Sequence, residues 1–166
     1  LNHHLRPHPV AILSTEKTDT DFNARFSAKL RWYEYKVISR RPPLTLQSNR
    51  VWCVHKTINI NKVIEQSQYF LGKYDLSAFR SINCQSKSAI KSINSFDVKT
   101  NEQEINFVIS AKSFLHSQVR IMVGTLVDIG IGKISKSISE IIALKKREYA
   151  GVTAPPHGLY LTKVEY

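Results

Sequence analysis

Hydrophobic positions recur along the chain with two different periods, and the changes of period outline the elements. In RWYEYKVI, Tyr33, Tyr35 and Val37 fall on one face, and Trp32, Glu34, Lys36 and Ile38 on the other. That alternation predicts a strand, taken from Phe26 to Ser39. The tandem prolines of RRPPL end it, because they cannot continue a sheet ladder. NINKVIEQSQYFLG changes to helical spacing, with Ile60, Val63, Ile64, Phe70 and Leu71 on one stripe and Gly72 suited to the C-terminal cap. Two strands follow, near Ser92 to Lys99 and Ile105 to Ala111, with Asn101 and Glu102 at a hairpin turn. Ser137 and Glu140 have capping-box spacing and open a helix whose buried face is Ile138, Ile141 and Ile142. AGVTAPPHG reads as a loop and GLYLTKVEY as a closing strand. At the other end, LNHHLRPHPVAIL predicts a proline-containing opening segment and a short apolar strand. This order of helices and mainly antiparallel strands predicts an α+β fold, a mixed sheet with helices packed on one face.

The run FLHSQVRIMVGTLVDIG, Phe114 to Gly130, reads as one long helix and poses a chemical problem. Phe114, Leu115, Val119, Met122, Val123, Leu126 and Val127 cover most of its circumference. A narrower stripe of polar or small residues remains: Ser113, His116, Ser117, Arg120, Gly124 and Asp128. Their spacing of three and four places them along one side. Two readings fit this stripe. It faces solvent, and Arg120 is a surface arginine; or Arg120 points into a cleft, where a poorly hydrated guanidinium requires an anionic partner. Asp128 lies two turns away, about 12 Å along a helix axis, so the partner comes from elsewhere. Gly124, one turn after Arg120, leaves room for another segment to approach.

Charge sharpens the question of partners. The chain holds 24 Lys+Arg against 13 Asp+Glu, a formal net charge of +11, which favours polyanions such as nucleic acid. Tyr33 and Tyr35 lie beside Arg25, Lys29 and Arg31, the aromatic-plus-basic combination that base stacking and phosphate contact require; a place in the core is the alternative for either tyrosine. His3, His4 and His8 have no matching cysteine or carboxylate cluster, so no metal is expected. Cys53 and Cys84 are too few for a disulfide framework and fit a reducing compartment. Arg80 and Lys87 stand near Cys84 and could lower its pKa; a plain semi-buried thiol is the alternative. With no apolar run near ~20 residues and no signal peptide, the expected location is the cytoplasm.

Four stretches resemble the C-terminal part of the TruA-type tRNA pseudouridine synthases: NARFSAKLRWYEY, YFLGKYDLSAFRSINCQS, FLHSQVRIMVGTLVDIGIGK and AGVTAPPHGLYL. They occur in the family's order and span nearly the whole chain. The resemblance implies a pseudouridine synthase-like fold. It also implies isomerisation of uridine to pseudouridine at positions 38, 39 and 40 of the tRNA anticodon stem-loop, no cofactor or metal, and a homodimer with tRNA across both subunits. By the same resemblance, Arg120 pairs with the catalytic aspartate, Tyr33 packs against the target uracil, and Leu159 lines the uracil pocket. The family's aspartate sits in a G-R-T-D-x-G-V-H stretch that does not occur here. The expectation is that residues 1–166 form the C-terminal domain, that the N-terminal domain with this aspartate is absent from the chain, and that the chain alone is inactive. Trp32 and Glu34 replace residues that are often basic, and Ser117 and Gln118 stand where His or Asn, and Met, are usual. Two other readings are a non-catalytic RNA-binding module using a basic sheet surface, and a dimerisation domain. EINFVISAKSF lacks the glycines and aromatic spacing of an RNP-type motif.

Overall fold

The computed structural model covers residues 1–166. It is built on β1, Leu30–Ser39, the strand predicted from alternation. Along one side β1 pairs antiparallel with β5, Glu104–Ala111. Along the other, its first half pairs antiparallel with β6, Leu159–Glu165, and its last three residues pair in parallel with β2, Trp52–Val54. The sheet continues from β5 to β4, Ile90–Asn101, and then to β3, Gly72–Asp75. One parallel pairing in an otherwise antiparallel sheet matches the expected mixed α+β architecture.

Alternation along β1 and β5 sorts the two faces. Tyr35, Val37, Ile105, Phe107 and Ile109 are buried on the inner face, which α1, Ile60–Gln68, and α2, Gln118–Gly130, help to cover. Phe70 stacks on Phe96 within the same core and meets Phe79 edge to face. On the opposite face, the Lys163 ammonium lies 4.6 Å from the Trp32 ring centroid, and Lys36 lies 5.2 Å from that of Tyr160. The third helix, α3, is Ile138–Leu144, and its capping box forms as the spacing predicts. The Ser137 hydroxyl accepts the Glu140 N–H, the Glu140 carboxylate accepts the Ser137 N–H, and Ile138, Ile141 and Ile142 are buried. No helix is long and apolar enough to cross a membrane.

Several boundaries differ from the pattern, each for a local reason. β1 begins at Leu30 rather than Phe26, because Asn23 Oδ1 accepts the N–H groups of both Arg25 and Phe26 and holds them in a turn. No strand forms at Val10–Leu13; the Asn2 amide instead brackets the backbone of Ile12 with two hydrogen bonds. The helix at 60 stops at Gln68, with Tyr69 as its cap. Gly72 does not cap it but opens β3 at φ +111°. Ile64 keeps more than a third of its surface exposed, while Gln66 and Ser67 take the buried positions. The hairpin turn falls at Glu102, which adopts φ 51° just after β4 ends at Asn101.

The long helix starts four residues later than the apolar run suggests. Ser117 sits at φ 59°, and the Gln118 side chain accepts the Leu115 N–H at 2.7 Å. Leu115–Gln118 therefore forms a turn, closed by the Gln118 N–H on the Leu115 carbonyl at 3.1 Å, and Arg120 lies in the first turn of α2 rather than at its middle.

Candidate active site

Arg120 is the third residue of α2 and half-buried. Its Nε donates to the Ala154 carbonyl at 2.7 Å. The two terminal nitrogens make no hydrogen bond within the chain, and neither is shut off from solvent. The guanidinium is thus gripped at Nε, and its forked end is left without a partner in the chain. A fork of two parallel N–H groups is the geometry that takes a carboxylate bidentately.

Ser113, His116 and Ser117, before the helix, line a cavity. Past Arg120 the polar stripe of α2 faces neither solvent nor a cleft. It is a bed for the segment Gly151–Pro155. The Thr125 hydroxyl accepts the Gly151 N–H at 2.9 Å, and Asp128 accepts the Val152 N–H at 3.1 Å. The space opposite Gly124 is filled by the Val152 carbonyl, which would lie 1.9 Å from any Cβ at that position. Asp128 also takes the Lys133 ammonium at 3.3 Å and so remains paired without Arg120. The solvent-facing reading of the stripe fails for Gly124 and Asp128, which are buried.

The same segment passes over β1. The Tyr35 hydroxyl donates to the Pro155 carbonyl at 2.6 Å. Gly158 crosses the Tyr35 ring so closely that a Cβ would fall 2.8 Å from it. Burial pushes the Tyr35 phenol far above its ordinary range, and the nearby Arg120 charge offsets this only in part. Tyr35 is fully buried and stays a neutral donor, which is the core role open to it from sequence.

Tyr33 and Leu159 share this face of the sheet. Tyr35 stands directly opposite Leu159, and Tyr33 opposite Leu161, so Tyr33 and Leu159 are diagonal neighbours on adjacent strands. Both are half-buried. The Tyr33 ring meets Phe114 edge to face, with centroids 5.2 Å apart. Three residues singled out in the sequence therefore flank Tyr35: Arg120 lies near it, Leu159 stands opposite it on β6, and Tyr33 is one pair further along β1.

Tyr33 also lines a cavity of about 950 Å³, into which Arg120 and Leu159 do not reach. Arg25, Arg31, Lys91, Lys112 and His116 line it, and no carboxylate does. Arg31 is committed to the carbonyls of Lys112 and Arg25 and braces the rim. Lys91 and Lys112 carry no signal in the sequence pattern; they come from β4 and from the residue just after β5, and only the sheet brings them beside Arg25. Phe114, expected as part of a helix core, is instead a wall of this cavity.

Cys84 sits at the same cavity. Burial is the largest single influence on its thiol and opposes ionisation. The N–H groups of His116 and Ser86 and the Arg80 guanidinium together outweigh it and bring the thiol below its ordinary range. The sequence points to Arg80 here; the two backbone donors depend on the fold.

Comparison with known proteins gives the family. Residues 67–166 match the family described as tRNA pseudouridine synthase. Curated relatives named tRNA pseudouridine synthase A align along the whole chain, including those of Ehrlichia chaffeensis at 53% identity, Anaplasma phagocytophilum at 50% and Neorickettsia sennetsu at 49%. Each alignment takes in 100% of this chain and 68% of the relative.

Proposed function

This chain belongs to the tRNA pseudouridine synthase family, and from that premise we propose that it supplies one half of a uridine isomerisation site. Arg120 orients an aspartate from outside these residues, while Tyr33 and Leu159 wall the uracil. Residues 1–166 correspond to the C-terminal domain, and the aspartate belongs to an N-terminal domain. The substrate is the anticodon stem-loop, at positions 38, 39 and 40, and the working enzyme is a cytoplasmic homodimer.

The observation that carries this reading is the unpartnered fork of Arg120, held through Nε by Ala154. In the reaction the N-glycosidic bond breaks, the uracil turns while held, C5 joins the sugar, the C5 proton leaves and the freed N1 takes up a proton. The oxidation level of substrate and product is the same. A carboxylate starts this, either by attack or by deprotonating the sugar. A guanidinium within a few ångströms favours its ionised form, lowering a carboxyl pKa by roughly 1–3 units. The target uridine must first leave its stack, at a cost of a few kcal/mol. The basic cavity beside Tyr33 offsets that cost through phosphate contacts, and Tyr33 and Phe114 give the extruded base an aromatic wall.

Tritium release from tRNA labelled at uracil C5 tests the proposal. The full-length enzyme should turn over, and the 166-residue chain alone should not. Release by the isolated chain would remove the need for an outside carboxylate. Binding of tRNA without release by the full-length protein would favour an RNA-binding module instead.

A further inference from the structure

We propose that Tyr35 is a positioning residue for this reaction: through the Ala154–Pro155 carbonyls it sets the direction in which Arg120 meets the carboxylate. The inference rests on the role given to Arg120 above and adds the device that aims it.

Two adjacent carbonyls are gripped from two elements. Arg120 on α2 donates Nε to Ala154 O at 2.7 Å, and Tyr35 on β1 donates its hydroxyl to Pro155 O at 2.6 Å. The Ala154 N–H returns to the Arg120 carbonyl at 3.1 Å, so the first turn of α2 and the segment are doubly tied. A guanidinium offers a carboxylate either its side edge, through Nε and one terminal nitrogen, or its end, through both terminal nitrogens. Ala154 occupies the side edge. The carboxylate is left with the end-on approach, whose direction follows the position of one carbonyl.

Tyr35 holds that carbonyl's neighbour from below. The phenol is fully buried and cannot drift. Proline at 155 restricts the backbone between the two gripped carbonyls. The Gly158 backbone lies against the same ring, so the tyrosine also sets where the chain enters β6 and where Leu159 stands opposite it. One side chain thereby registers the arginine and the apolar wall against each other. A displacement of about 1 Å in such a constellation is enough to cost on the order of 10²-fold in rate.

The test is single-turnover kinetics on C5-tritiated tRNA with the full-length enzyme. Tyr35→Phe keeps the ring packing and removes only the donor. The expected result is a rate constant at saturating tRNA reduced roughly tenfold or more, with the tRNA KM within about twofold of the parent. Ser110→Ala is the control. It removes a buried hydroxyl that bonds Ser95 at 2.6 Å on the other face of the sheet, and it should leave the rate unchanged. Replacing Tyr35 by p-aminophenylalanine restores an N–H donor and should recover most of the rate. A Tyr35→Phe rate equal to the control, a loss confined to KM, or no recovery with the amino analogue would each overturn the proposal. Arg120→Gln run in parallel separates the two ideas: normal turnover there would discard the Arg120 reading itself, whereas an inactive Arg120→Gln beside a fully active Tyr35→Phe would discard only the role of Tyr35.

Discussion

Arg120 and Ala154 are bonded to each other twice: Nε of the arginine reaches the alanine carbonyl at 2.7 Å, and the alanine N–H reaches the arginine carbonyl at 3.1 Å. They are 34 positions apart in sequence. The guanidinium proposed to meet the aspartate is therefore half-committed to a loop, and its two terminal nitrogens are left without a partner in the chain. That relationship orders the consequences below.

Arg120→Gln in the full-length enzyme should lower turnover by roughly 10²–10³-fold or more, the scale for losing a preorganised charge at a reacting centre. Binding of tRNA should stay close to the parent, because the cations proposed to meet phosphates line the neighbouring cavity, which Arg120 does not reach. Parallel tritium-release and filter-binding measurements check both halves.

Gly124→Ala should be costly in spite of alanine's better helix propensity. Its methyl would sit 1.9 Å from the Val152 carbonyl oxygen, a backbone atom that cannot rotate away. Overpacking of this kind costs about 1–3 kcal/mol. Thermal unfolding should show a lowered Tm, and turnover should fall as Gly151–Pro155 lifts away from α2.

Lys91 and Lys112 should report on phosphate binding, since both line the carboxylate-free cavity. The double variant Lys91→Ala, Lys112→Ala should bind tRNA more weakly and with a shallower salt dependence. Each phosphate that is no longer neutralised flattens the plot of log K against log salt by about 0.7–0.9. An unchanged slope would place the phosphates elsewhere.

Glu140 provides a pH test of the α3 capping box. The Ser137 N–H and then its hydroxyl hold the Glu140 carboxyl below its ordinary value of 4.5. A folded-state pKa below the unfolded one means that the ionised group stabilises the fold above that value, and that this contribution is lost as pH falls through the folded pKa. Glu140→Gln should therefore unfold at a lower temperature than the parent at pH 7. The gap should narrow below about pH 4.5 and close once the native carboxyl is protonated.

Much of this architecture was legible locally. The two faces of β1, the β4–β5 hairpin, the α3 capping box, the final loop and strand, and the three-and-four spacing that links Arg120, Gly124 and Asp128 all follow from neighbours within one or two turns or one strand repeat. Backbone geometry imposes those periods whatever the rest of the chain does. The short strands β2 and β3 carry no such signal and exist because β1 and β4 offer them partners.

Tertiary structure alone decided the rest. Alternation put Tyr33 and Tyr35 on the same face, but packing sent Tyr35 into the core and left Tyr33 at a cavity. The stripe on α2 announced that something would lie against it, and only the fold brought Gly151–Pro155 there. The left-handed turn at Ser117 moved Arg120 to the start of its helix. Periodicity records which way a side chain points from its own backbone. What it meets there depends on segments far away in the chain, and those meetings are settled by the packing of the whole domain.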